Sequence, residues 1–157
     1  MVAGSADGKE QLWFLNTLVT MAVGHDQGAD GISVVESVGP RGDTAPLHVH
    51  RTEDEVFHVL EGEFRFRVGD QDLRAGQGET LLAPKGVPHS YLVESERGRW
   101  LAITVHGDFE GFVRSLGRPA ERPELPEPSP PPTPEGADAL AAAAFKHQIE
   151  IVGPPLH

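Results

Sequence analysis

His48, Val49 and His50 place two imidazoles two residues apart. On a strand, such positions share one face, and the residue between them points the other way. The polar reversal Arg51-Thr52-Glu53-Asp54 follows, and Glu55 then opens the run Val56-Phe57-His58-Val59-Leu60. A chain reversal at that point brings the Glu55 carboxylate beside the two imidazoles. His89 comes from a separate hairpin, directly after Pro84-Lys85-Gly86-Val87-Pro88, where two prolines restrict the backbone and help fix the direction of the next strand. Three imidazoles and a carboxylate converging from neighbouring strands satisfy one borderline divalent ion and leave room for water or substrate. The chain has no cysteine, so thiolate sites and disulfides are excluded. The ligand set favours Zn, Fe, Mn, Ni, Co or Cu, and because affinity follows the Irving–Williams order the sequence does not name which.

Other polar and aromatic residues near these positions are weighed against them. Glu53 and Asp54 could supply the carboxylate, but their place in the reversal reads as a solvated turn. His58 lies three residues from Glu55, on the opposite strand face, and reads as a packing or surface residue. His106 ends a strand and could approach the barrel mouth, although a residue with no chemical role is the favoured reading. Tyr91, two beyond His89, faces inward near the ligands, and its hydroxyl needs a partner there. Tyr91, Phe57 and Phe66 are the expected contacts for an aromatic substrate, although a barrel interior is apolar in any case.

The elements that would position these residues are short and β-rich. Apolar Leu12 to Val23, then Ile32 to Val38, Val56 to Leu60, Glu63 to Val68, Glu79 to Ala83, His89 to Glu94 and Trp100 to His106 are separated by Gly and Pro. Phe64, Phe66 and Val68 alternate with Arg65 and Arg67, the pattern of a half-buried strand. Many short strands at close spacing predict an all-β sandwich or barrel. Asp108 to Leu116 reads as an amphipathic helix, with Asp108 as N-cap and Phe109, Phe112, Val113 and Leu116 on one face. Residues 118–134 hold eight of the 14 prolines and read as a stiff, extended linker. Thr133-Pro134-Glu135 is a helix start, with a capping hydroxyl and proline at the first position, and the helix should run to about His147. Ile149 to Val152 is expected to add a short strand.

A chain of 157 residues suits one domain with its own core. The expected organisation is a disordered start over 1–11, a barrel over 12–107, and a helical, proline-rich extension over 108–157 packed on it. The formal charge of −11 argues against nucleic acid, which needs a surplus of Lys and Arg. No apolar run approaches the ~18 residues that span a bilayer, and residues 1–10 lack the apolar stretch of a signal peptide, so the expected location is cytoplasmic. The apolar segment Leu12 to Val23 offers an edge strand, and proteins cover or pair such edges. That predicts a homodimer paired across a two-fold axis.

The spacings match two motifs of the cupin superfamily. Gly42, His48, His50, Glu55 and Gly62 fit G-x5-H-x-H-x3–4-E-x6-G, and Gly78, Pro84, Gly86 and His89 fit G-x5-P-x-G-x2-H-x3-N, with Val93 in place of the terminal Asn. That Asn is not a ligand position, so the departure does not touch the metal site. The resemblance implies a double-stranded β-helix, or jelly-roll, barrel with His48, His50, Glu55 and His89 as ligands of one metal ion. More narrowly, the chain resembles small bacterial quercetin 2,3-dioxygenase-like cupins in Asn16-Thr17-Leu18-Val19, in Gly39-Pro40-Arg41-Gly42, in Glu55 to Gly62 and in the Phe109…Pro119-Ala120 tail. In that group the motif glutamate, here Glu55, is both ligand and general base toward a flavonol hydroxyl, and the substrate reacts with dioxygen. The resemblance therefore implies a phenolic or enolisable aromatic substrate. A metal-dependent cyclase, isomerase or lyase is the alternative, and a cupin that binds a small ligand without catalysis is a further one.

Overall fold

A computed structural model describes residues 8–157. Ten strands run in sequence before the first helix. They are β1 (Gln11–Phe14), β2 (Thr17–Val23), β3 (Ser33–Pro40), β4 (Pro46–His50), β5 (Glu55–Glu61), β6 (Phe64–Val68), β7 (Gln71–Ala75), β8 (Thr80–Ala83), β9 (His89–Val93) and β10 (Arg97–Thr104). Helix α1 (Asp108–Leu116), β11 (Arg118–Pro119), α2 (Pro134–Lys146) and β12 (Ile149–Pro155) complete the chain. Every pairing is antiparallel, in two sheets ordered β11-β1-β2-β3-β10-β5-β8 and β12-β4-β9-β6-β7. The two sheets form the expected jelly roll. The expected disorder of residues 1–11 falls mostly outside the described residues, and at its end a buried Gln11 opens β1.

The core between the sheets follows from period-two alternation. Phe57 and Val59 of β5, Phe64 and Phe66 of β6, Val93 of β9 and Trp100 of β10 point inward and are 0–4% exposed. Each such side chain contributes about 1.5–3 kcal/mol through burial. Gly98 makes the close approach possible, since a Cβ there would stand 2.6 Å from Phe64 Cζ and 2.9 Å from Val93 Cγ1. A second cluster joins Leu12, Val19, Met21 and Val35 to Val113 of α1.

Several local expectations are corrected. Leu12 to Val23 is a hairpin of two strands with Leu15 at its tip, φ 54°. Its outer edge is occupied by β11, through Leu12↔Pro119 and Trp13↔Arg118, so the open edge that suggested a homodimer is covered by the chain itself. Asp108 is the first residue of α1 and not its cap. The N-cap is Gly107 at φ 81°, with no side-chain cap of its own. Leu116 is 40% exposed and leaves the buried face to Phe112 and Val113. The proline-rich stretch is extended but held down. Trp13 Nε1 donates to Glu124 O at 2.8 Å, Ser129 N donates to Asn16 Oδ1 at 3.0 Å, and Pro126 is buried. Helix α2 starts as expected, with the Thr133 hydroxyl accepting from Gly136 N at 3.1 Å. The last strand is longer than expected and completes the second sheet, pairing Ile149↔His50 and Ile151↔His48. Among the described residues no helix is long and apolar enough to cross a membrane.

Candidate metal centre and its pocket

The ligand candidates come from both sheets. His48 and His50 lie on β4 and His89 on β9, with His48 directly opposite His89 in the ladder. Glu55 opens β5 in the other sheet, so the reversal at residues 51–54 carries the chain across the barrel between the second and third of these groups. His50, Glu55 and His89 are each 2% exposed, while His48 is partly exposed. One ligand atom from each of the four lies within 4.8 Å of all the others. The His50 Nε2 to Glu55 Oε2 distance is 2.9 Å, and His89 Nε2 is 3.7 Å from the same oxygen.

The outward-facing nitrogens explain the orientation. His48 Nδ1 donates to Pro46 O at 2.6 Å, and His89 Nδ1 faces Val87 O at 3.4 Å. With Nδ1 engaged on the backbone, each ring turns the Nε2 lone pair toward the centre, the arrangement by which backbone carbonyls fix the tautomer of a metal-ligating histidine. His50 Nε2, Glu55 Oε2 and His89 Nε2 are buried and face one another, with no hydrogen-bond partner outside the cluster among the described residues. Buried polar atoms are otherwise almost always paired. Three buried atoms converging on one point, in an imidazole and carboxylate set, fit a borderline divalent metal ion. The cluster could hold such an ion, and its identity is not fixed by these residues.

Charge is strongly coupled here. Burial, with the neighbouring His89 and His50, pushes the His48 imidazole down to about 3. Burial also pushes His50 down, but the charge of Glu55 and the nearby Glu53 outweigh it and hold His50 up at about 9. Burial raises Glu55, yet His50 and His89 dominate and keep it well below the usual carboxylate range.

Glu53 overturns its sequence reading. It is 1% exposed and not part of a solvated turn. Its carboxylate accepts from the backbone N–H groups of His106 at 2.9 Å, Asp108 at 3.2 Å and Phe109 at 3.0 Å. Those of Asp108 and Phe109 are donors that the start of a helix leaves unsatisfied, and the helix dipole there favours an anion. Its Oε2 also stands 3.9 Å from His50 Nδ1. Burial raises Glu53, but His50 and these N–H groups bring it below the ordinary value. Glu53 thereby ties the ligand-bearing reversal to α1. Asp54 is exposed and accepts from Lys85 N at 2.8 Å.

His48, His50 and Glu55 line a pocket with a volume of about 90 Å³. Phe57, Tyr91 and Trp100 line it from the barrel, and Phe109, Phe112 and Leu140 from the two helices. Ile149 and Ile151 of β12, beside His50 and His48, form another wall. Of the expected substrate contacts, Phe57 and Tyr91 reach the pocket. Phe66 does not, because it is 1% exposed in the core behind Phe57, ring centroids 5.1 Å apart. Tyr91 finds its hydroxyl partner in Asp43, which sequence reasoning passed over. His58 faces away and pairs with Thr80 Oγ1 at 2.7 Å, and the exposed His106 offers the pocket nothing.

Residues 34–104 match the family model described as a cupin domain. The chain is 36% identical over 88 residues to quercetin 2,3-dioxygenase of Bacillus subtilis (strain 168), a match covering 56% of this chain and 26% of that protein. An uncharacterized protein of Methanocaldococcus jannaschii is 30% identical over 57 residues, covering 36% of this chain and 46% of the relative. The chain thus spans less than half the length of either. Among solved structures, a predicted oxalate decarboxylase from Thermotoga maritima superposes with a TM-score of 0.58 at 19% identity, covering 67% of this chain and 97% of that one. A sugar phosphate isomerase of the cupin superfamily from Silicibacter pomeroyi gives 0.56 at 15% identity, covering 66% and 74%. At such identities these two speak for the fold alone. The family match and the jelly-roll architecture agree, and residues 34–104 form a cupin domain.

Proposed function

We propose that this cupin is a metal-dependent dioxygenase acting on a phenolic or enolisable aromatic substrate, with His48, His50, Glu55 and His89 holding one divalent ion. The observation that carries the reading is the set of buried imidazole and carboxylate atoms, without partners outside the cluster, beside an apolar pocket. The similarity to a quercetin 2,3-dioxygenase supports the reaction class. A bound transition metal supplies Lewis-acid polarisation of a substrate oxygen and redox chemistry toward dioxygen. The chain's own residues do the rest. Pro46 O and Val87 O hold two of the imidazoles in place. Phe57, Trp100, Phe109 and Phe112 exclude water and favour a flat ring. Glu55 takes the substrate hydroxyl proton. His50 and His89 hold it low, which makes it a weak base, so it suits only a hydroxyl more acidic than a free phenol, such as one that a bound cation would polarise.

The pocket size keeps a second reading alive, a metal-dependent isomerase, lyase or cyclase acting on a small enolisable molecule. A cavity of roughly 150 Å³ accommodates one benzene, so 90 Å³ encloses about one ring at most. A three-ring flavonol would have to remain partly outside, past the exposed Leu15 at the rim. Oxygen uptake separates the two readings. Metal-free protein is reloaded with each candidate metal and given flavonols and single-ring phenols. The dioxygenase reading predicts oxygen consumption with at least one metal and a loss of about 10²–10⁴-fold in Glu55→Gln. No consumption with any metal, alongside anaerobic conversion of an enolisable substrate, moves the protein to the second class.

A further inference from the structure

Besides the histidine cluster, the pocket is lined by a second polar pair, Asp43 and Tyr91. Tyr91 Oη donates to Asp43 Oδ2 at 2.7 Å, and both residues line the cavity. Asp43 is 9% exposed. Among the described residues, Tyr91 is the only side chain hydrogen-bonded to this carboxylate, and no cation pairs with it. An ionised carboxylate has about four acceptor positions; the Tyr91 hydroxyl and the Thr44 N–H use two of them, and the rest of its capacity is left over. The single proton of Tyr91 is already given to Asp43, which leaves the phenol oxygen only lone pairs to offer. The two groups therefore present acceptors, and what they lack is a donor.

The surroundings point to a ligand rather than to a structural duty. Gly39 keeps space for the carboxylate, since a Cβ there would stand 2.8 Å from Asp43 Oδ2. The neighbouring wall is apolar, with Trp100 5.0 Å from the Tyr91 ring and Phe57 beyond. Burial pushes Asp43 up to about 6, so it is still mostly ionised at neutral pH. A carboxylate buried with only the Tyr91 hydroxyl and the Thr44 N–H beside it, and no cation, carries a desolvation cost, and positions that strain the rules of folding in this way tend to serve binding or catalysis.

We propose that Asp43 and Tyr91 form a second anchor of the pocket and hold a hydroxyl group of a ring-sized substrate whose other oxygen lies at the His48–His50–Glu55–His89 cluster. This rests on the proposed aromatic-substrate site and deepens it. The substrate class becomes a single ring, or the enclosed ring of a larger phenol, with two separated oxygens. One lies at the cluster, and the other donates a hydrogen bond to Asp43 or Tyr91. Selectivity of this kind is sharp, because a ligand lacking the donor leaves buried acceptors unpaired.

The test uses zinc-loaded protein without oxygen, so that binding is read without turnover. Hydroquinone is compared with 4-fluorophenol, and resorcinol with 3-fluorophenol, by calorimetry. Each pair has nearly the same shape and differs by one donor. At least one diphenol should bind about tenfold tighter than its fluoro counterpart. In the Asp43→Asn/Tyr91→Phe double variant that preference should fall to about twofold or less. If both fluorophenols bind as tightly as the diphenols, or the preference survives in the double variant, the anchor is wrong while the aromatic site stands. If none of the four binds, the aromatic-substrate reading fails and the anchor fails with it. Should the double variant not fold, the wild-type preference still decides.

Discussion

The barrel wall and the C-terminal cover enclose the same pocket but are held in different ways. The wall strands bury alternate residues almost completely, with Phe64 and Phe66 each at 1% and Val59 at 0%. The cover is lightly attached. Of the 13 residues of α2, Ala144 alone is buried, and Phe145 is 62% exposed. Its purchase on the pocket comes from Leu140 and Ala144 against Phe112 and Ile149. Ligand geometry depends on the wall, which must not move, whereas pocket size depends on the cover, which can change at little expense to the fold. Local stability follows buried apolar contact, so a substitution in the wall should report on folding and one in the cover on ligand size.

The largest effect should come from the wall. Phe64→Ala removes a ring packed on Phe66 and Trp100 and should cost about 3–5 kcal/mol in chemical denaturation. A cost below ~1 kcal/mol would mean that the core relaxes around the gap and that the wall is not the rigid part.

Asp43 gives the next effect, and it depends on pH. Its folded value is raised from 3.8 to about 6. A raised carboxylate holds its proton longer in the folded state, so stability falls as pH rises from about 4 through 6. Relative to Asp43→Asn, the wild-type protein should lose up to about 3 kcal/mol across that window and nothing further above it. Parallel stability curves for the two proteins from pH 4 to 7 would show that Asp43 titrates normally.

Glu53 joins the two regions and should be intermediate. Glu53→Ala strips the acceptor from three N–H groups at the start of α1. Water can reach some of them, so a loss of about 2 kcal/mol is expected. Metal affinity should also fall, since groups behind a ligating histidine typically matter by about 10–100-fold. A stability loss with unchanged metal affinity would confine Glu53 to the helix. The smallest effect belongs to the outer face of the cover. Phe145→Ala should change stability by no more than about 0.5 kcal/mol, and a larger change would mean that this exposed ring is covered in solution.

What the sequence made legible divides along similar lines. That His48, His50, Glu55 and His89 come together could be read because a strand's period of two, a reversal and paired prolines are local signals that survive without the fold. The missed elements lack such signals. β7, Gln71-Asp72-Leu73-Arg74-Ala75, is an edge strand with little apolar alternation, and β11 is two residues long. Glu53 was misread because its partners arrive more than fifty positions later in the chain. Asp43 sits in the turn after β3, where aspartate is ordinary, and its pairing with Tyr91 is equally non-local. β12 was only partly foreseen. Ile149 and Ile151 alternate with Glu150, but nothing local says that their partner is β4.

The central claim is that four side chains from two sheets form one metal site. It is tested most directly by metal content per chain after reloading and exhaustive dialysis, for the wild-type protein and for His50→Ala, His89→Ala and His58→Ala, each first verified as folded. The account predicts about one equivalent in wild type and in His58→Ala, and loss of most of it in His50→Ala and His89→Ala. Full occupancy in both of those variants would contradict the site.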